Sequence, residues 1–243
     1  MTITSTMADT LAAGRTERFD TPAFTGFVDR LFQSPPGTPQ PGPQAFRIRQ
    51  DPNTVVPLHF HLQDEWQVVT RGSGTMGRHE MRPILIHYAS REAGYGPITA
   101  GAEGLDYMTL RPITDPGMWT LPEHRSKMQT GLSKRQLTAD CTPELLGPGS
   151  HDLISLQPDG VAAVCVQAQA GQVAPMPSLG DLDRFLLVVA GAFEDEQNKR
   201  LEALSCIYAA AGEAAPRLVA AAPLAAVLVL QLRDRNAADQ QAA

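Results

Sequence analysis

From Ala45 onward the chain is a series of short apolar runs: Ala45 to Ile48, Thr54 to Phe60, Glu65 to Thr70, Gly74 to Met76, Ile84 to Ala89 and Leu105 to Leu110. Gly, Pro, Asn or Asp close each run, and apolar segments of this length between turn residues predict β-strands packed as a sandwich or barrel. Residues 1 to about 20 hold no sustained period and predict a loose arm. Ser34 to Pro43 carries five prolines, which remove backbone donors and predict an irregular loop. Pro112 to Pro148 shows no clean periodicity and predicts a connector draped over a barrel face. After it the strand pattern restarts.

The restart reads as an internal repeat. With Ser178, Leu179 and Gly180 set under His59, Phe60 and His61, Phe185 falls under Trp66 and Gly191 under Gly72. Tyr208 and Ala209 then fall under Tyr88 and Ala89, and Val227 to Arg233 under Leu105 to Arg111. Two copies of one β unit is the economical explanation.

Composition agrees with many short elements: of 243 residues 20 are Gly and 20 are Pro, and 43% are hydrophobic. The formal charge of −6, with no stripe of Lys and Arg, excludes the electrostatic footprint that nucleic acid requires. The longest apolar run, Leu218 to Leu232, is broken by Pro223 and is too short for a membrane helix. No basic segment followed by an apolar core opens the chain, so a cytoplasmic protein is expected. Cys141, Cys165 and Cys206 form no C-x-x-C pair and read as reduced, buried thiols.

The chemistry concentrates in Pro57 to Met76. His59 and His61 stand two apart, which in a strand puts both imidazoles on one face. Glu65 opens the next run and can fold back to meet them; Asp64 is the rival carboxylate but lies in the turn. Two imidazoles and a carboxylate suit Fe, Mn, Zn or Ni as a divalent ion, with positions left open.

The pattern H-x-H-x3-E-x6-G, here His59, His61, Glu65 and Gly72, resembles the first motif of the cupin superfamily. Tyr95 to Gly101, followed by Glu103, Gly104 and a strand ending Leu110-Arg111, is similar to the second-motif region of small cupins. The resemblance implies an all-β fold of two tandem jelly-roll barrels, the second degenerate, with a divalent transition metal in the mouth of the first. It also implies a fourth ligand, a histidine, where this chain has Tyr95 or Gly96. His87 is a substitute ligand, and Tyr95, Trp66 and Tyr107 are further pocket candidates. In the second copy the ligand positions are Ser178, Gly180 and Arg184, and no metal is expected there.

The expected organisation is an arm over 1–44, a metal-bearing barrel over 45–112, a connector over 113–150, a degenerate barrel over 151–235 and a tail over 236–243. The wall Phe60, Trp66, Ile98, Leu105, Tyr107 and Met108 favours a small, partly apolar ligand, which Arg78, Arg91 or Arg111 could anchor through a carboxylate. His79, His124 and His151 read as solvated or connector residues. The leading function is a metal-dependent enzyme acting on a small organic molecule, with dioxygenase-type oxidation first. A non-catalytic ligand-binding protein is the alternative, and a structural or assembly role the third. A homodimer pairing through the strand Ala225 to Leu232 is consistent with the pattern, and a covered edge within the monomer equally so.

Overall fold

The computed structural model describes residues 1–234. The chain opens with β1 (Thr2–Ser5) and α1 (Met7–Ala12), followed by β2 (Thr16–Thr21), β3 (Phe24–Phe32) and β4 (Gln44–Gln50). Next come β5 (Val55–Val56), β6 (His59–Phe60), β7 (Glu65–Met76), β8 (His79–Met81), β9 (Leu85–Ala89) and β10 (Ile98–Arg111). Then follow β11 (Trp119–Thr120), β12 (Gln136–Asp140), β13 (Gly149–Ile154), β14 (Ala162–Ala168) and β15 (Arg184–Ala190). The series ends with β16 (Ala192–Glu194), β17 (Arg200–Glu202), β18 (Cys206–Ala209), β19 (Val219–Ala220) and β20 (Ala225–Gln231). The fold is nearly all β, as the runs predict.

The chain divides into two compact units, residues 10–140 and residues 1–9 with 141–234. The first carries the sheet β12-β9-β7-β10-β4-β3-β2 and the small pair β11-β6; the second carries β1-β18-β15-β20-β14-β13 and the triplet β17-β16-β19. Two expectations change accordingly. Residues 1 to about 20 are no loose arm: β1 pairs with β18 in the second unit, and β2 and β3 extend the first unit's sheet. Residues 113–140 are no connector, since β11 pairs with β6 and β12 with β9 inside the first unit. Of the two places open to Ala225 to Leu232, β20 takes the covered one, between β15 and β14. Ser34 to Pro43 forms no strand or helix, as its prolines require, and the tail 236–243 lies outside the described residues. Among the described residues no helix is long and apolar enough to cross a membrane.

The ladders of the two units match pair for pair. Trp66 faces Tyr88 and Leu110, while Phe185 faces Tyr208 and Leu230. Leu110 then faces Ala45, and Leu230 faces Ala163. Leu230 therefore stands where Leu110 does, and the third repeat segment aligns two residues earlier than the sequence comparison has it. Each unit buries one aromatic pair at this point: Trp66 with Tyr88, ring centroids 5.0 Å apart, and Phe185 with Tyr208 at 5.1 Å. Such pairs add about 0.5–1.5 kcal/mol beyond their area burial.

Gly72 has a backbone reason to be glycine. Its φ is +77°, and a Cβ there would stand 2.1 Å from the Gly104 carbonyl oxygen, where β7 and β10 cross at a register shift. Both the left-handed φ and the contact exclude a side chain. Gly72→Ala is expected to lower the unfolding free energy by about 2–4 kcal/mol in urea titrations; a loss below about 0.5 kcal/mol, the usual scale of a neutral surface change, would contradict the crossing geometry.

Candidate functional site

Strand alternation builds the site. On β7 it turns Glu65, Gln67 and Val69 to one face and Trp66 and Val68 to the other. Tyr107, Thr109 and Arg111 of β10 and Gln44, Phe46 and Ile48 of β4 follow on the same face, with Thr109 paired to Gln67 and to Phe46. Of that face, all but Glu65 and Val69 line a cavity of about 300 Å³. Two backbone bonds join His59 to Tyr95, and Thr120 of β11 pairs with His59 on its other side. His61 follows directly. Both imidazoles line the cavity, with ring centroids 5.3 Å apart.

Each ring is pinned through the same nitrogen. His59 Nδ1 lies 2.7 Å from the Pro57 carbonyl oxygen, and His61 Nδ1 lies 2.9 Å from that of Gly117 and 3.3 Å from Asp115 Oδ1. A carbonyl only accepts, so Nδ1 carries a proton in both rings, and in the neutral imidazole Nε2 is then the nitrogen with the lone pair. Among the described residues none hydrogen-bonds either Nε2. This is the arrangement that orients a metal-ligating histidine. Asp115 in turn accepts from the Leu62 and Gly117 backbone; against the effect of burial, the His61 bond holds its carboxyl below the usual range.

Glu65 is buried and divided between two fates. Its Oε2 accepts from Arg111 Nε at 3.0 Å and Nη2 at 2.9 Å, while Arg111 Nη1 donates to Gln44 Oε1 at 3.1 Å. Its Oε1 accepts no hydrogen bond. Burial alone would raise the Glu65 carboxyl; His61, Arg111 and the Tyr95 hydroxyl outweigh it and hold it below the usual carboxylate range. Arg111 is itself held ionised, Glu65 and Asp115 overcoming its burial.

The remaining candidates divide. Tyr95 lines the cavity, its ring 4.5 Å from His59, and its hydroxyl accepts from Gln67 Nε2 at 3.1 Å. Burial raises its pKa well above the ordinary phenol, so the hydroxyl stays protonated. Tyr107 also lines the cavity. His87 is buried one strand away, paired to Gln67, with Nδ1 at 3.1 Å from Thr138 Oγ1 and Nε2 unpartnered. Trp66 does not belong to the pocket: alternation sends it to the opposite face, against Tyr88. Of the expected wall only Tyr107 lines the cavity, and Phe46, Ile48, Val28, Val56 and Met118 supply the apolar surface instead. Arg111 points inward, but Glu65 and Gln44 occupy its fork, while Arg78 is exposed and Arg91 half-buried. His79 is exposed, His124 meets Thr120, and His151 bonds the Gly147 carbonyl. Cys141, Cys165 and Cys206 are free and buried.

The donor chemistry of His59, His61 and Glu65 fits a divalent cation, because each side chain has one polar atom pinned by the protein and another left without a partner. Their spacing is not that of an assembled centre: among the described residues no three His, Cys, Asp or Glu side chains stand together as an ion would hold them.

No protein-family model matches the sequence, and no curated protein matches it. Solved structures do. A protein of Nostoc punctiforme named a "putative dioxygenase" matches at TM-score 0.62 and 12% identity, over 97% of this chain and 80% of its own. A "putative glyoxylate induced protein" of Pseudomonas aeruginosa matches at 0.63 and 11%, over 95% and 88%. A variant of Bacillus subtilis oxalate decarboxylase matches at 0.59 and 13%, over 97% and 78%. The chain shares the fold of these three proteins. At such identities the likeness is one of fold alone.

Burial pushes His59 and His87 down to about 4, the neighbouring His61 adding to the effect on His59. In the unfolded chain both titrate near the ordinary value of about 6.5. The unfolded state therefore binds more protons between these values, and stability falls as pH drops from about 6.5 toward 4. Denaturant titrations at pH 7 and 5 are expected to differ by about 2 kcal/mol for each histidine, with the difference smaller in His87→Ile. An equal difference in that variant would show that His87 is not the buried neutral group described here.

Proposed function

We propose that this protein is a metal-binding cupin whose first unit takes a small, largely apolar molecule into the cavity beside a divalent cation, held by His59 Nε2, His61 Nε2 and Glu65 Oε1. The observation that carries this reading is that these three atoms are the ones their side chains leave free, with both imidazoles lining one cavity. When bound, the ion supplies Lewis acidity and open coordination positions.

The chain's own residues prepare that chemistry. Pro57, Gly117 and Asp115 fix the ring tautomers. Arg111 keeps Glu65 ionised and turns one carboxylate oxygen away from the ion. Tyr95, where the second motif of the superfamily would supply a histidine, presents a protonated hydroxyl beside His59. Phe46, Ile48, Tyr107 and Met118 give the ligand an apolar bed and exclude water. Dioxygenase-type oxidation of a small organic molecule is the reaction we favour, since three protein ligands leave room for a chelating substrate and dioxygen.

We read the second unit as a diverged copy of the first. Its ladder registers repeat those of the metal-bearing unit, and its equivalent of the cavity is closed by Val164, Leu186, Val188, Ile207, Val227 and Val229, all in one apolar core. Its role in this reading is structural. A non-catalytic ligand-binding protein is the second reading of the first unit, favoured by the Arg111 fork already engaged on Glu65.

Protein purified without chelators is expected to carry about one transition-metal ion per chain by mass spectrometry, and His59→Ala and Glu65→Ala to lose most of it while remaining folded by circular dichroism. Metal at background in the wild type defeats the metal reading; metal retained by both variants places it elsewhere.

A further inference from the structure

Behind the three free ligand atoms, three strands carry a second row of polar side chains. His87 on β9, Gln67 on β7 and Thr109 on β10 are consecutive cross-strand partners. They are buried to 1%, 3% and 1% exposure. Each has a polar atom with no partner: His87 Nε2, Gln67 Oε1 and Thr109 Oγ1. Gln67 and Thr109 line the cavity, and the His87 ring lies 5.6 Å from that of Tyr95. Buried polar groups are ordinarily satisfied, so three orphans in one row call for a partner.

The fold does not need this row. In the second unit the same three positions, by ladder register, are Ile207, Leu186 and Val229, which sit together in one buried apolar core. The polar row thus occurs where the cavity is open and is absent where it is closed.

We propose that Gln67, Thr109 and His87 form a subsite that receives a neutral hydroxyl group of a small ring-bearing ligand. The inference rests on the cavity being a ligand site, as read above, and not on the ion. Gln67 Oε1 is fixed as an acceptor because Gln67 Nε2 donates to the Tyr95 hydroxyl. Thr109 can donate or accept, and His87 Nε2 is a buried ring nitrogen without a partner, its ring against that of Tyr95. A hydroxyl donates once and accepts as well, which matches one fixed acceptor and two adaptable partners. A carboxylate would face the Gln67 oxygen and share the wall with Asp115, whose carboxyl His61 holds below the usual range. An ammonium would find Glu65 and Asp115 already engaged, by Arg111 and by His61. Phe46 and Tyr107 flank the row and suit a flat apolar body.

Phenol and toluene, which differ by a hydroxyl against a methyl, test the subsite by calorimetric titration of chelator-treated wild type. Phenol is expected to bind about tenfold tighter or more, because a site built for a hydroxyl rejects the analogue that lacks it. Gln67→Leu and Thr109→Val, which install the second unit's residues, are expected to bring the two affinities within about twofold, to keep toluene binding and to raise the melting temperature. Thr109→Ser guards against a packing artefact and is expected to keep the preference. Equal binding of phenol and toluene by the wild type, as ordered water filling the row would give, overturns the subsite while leaving the cavity reading in place. Binding of neither probe overturns both. A preference for phenol that survives both aliphatic substitutions also overturns the subsite.

Discussion

A carboxylate and a guanidinium buried side by side, Glu65 and Arg111, set the polarity of everything around them. Both side chains are almost wholly withdrawn from water, 1% and 6% exposed. Desolvating each costs several kcal/mol, which only good geometry and further hydrogen bonds offset. Here Arg111 reaches one carboxylate oxygen through two nitrogens and sends a third to Gln44. The pair exists because β7 and β10 run antiparallel in a register that places the first residue of one strand beside the last of the other. Its consequence is chemical: Glu65 stays ionised with one oxygen engaged and the other free.

The same division recurs in the two histidines, where Nδ1 is engaged and Nε2 is free. Three side chains from two segments are thus oriented by carbonyls, a carboxylate and a guanidinium, none of which is itself a proposed ligand. Orientation from behind is what a cation site requires, and it leaves one acceptor of each side chain unengaged. The second unit is a natural control. Its β15 and β20 repeat the pairing of β7 and β10, yet the cavity-facing positions are valine, leucine and isoleucine. Polar side chains in the first unit are therefore a departure from what this sheet needs for packing, and departures of that kind mark function.

Strand content was legible in the sequence because period-two alternation and turn residues act over a few positions. The pair His59 and His61, and Glu65 after them, were legible for the same reason. The inward face of β10 was only partly so. Arg111 was one of three arginines with equal claims, and nothing local distinguishes the one that meets Glu65 across the sheet. Gln67 and Thr109 could have been found by extending the alternation from Glu65 and Arg111 by two residues. Trp66 was misplaced by ignoring that same alternation. Asp115, Gly117 and Met118 carry no local signal, since a long-range fold brings their loop over the cavity. The N-terminal segment was misread because β1 finds its partner in β18, some two hundred residues away in sequence.

The central claim is that Glu65 holds a cation through the oxygen that Arg111 does not use. A crystal structure of the protein grown with zinc, with anomalous data at the zinc edge, tests it most directly. The account predicts one strong peak about 2.0–2.2 Å from His59 Nε2, His61 Nε2 and Glu65 Oε1, with Arg111 still on Oε2. No peak in the cavity, or a peak that forms only with Arg111 displaced from Glu65, would contradict it.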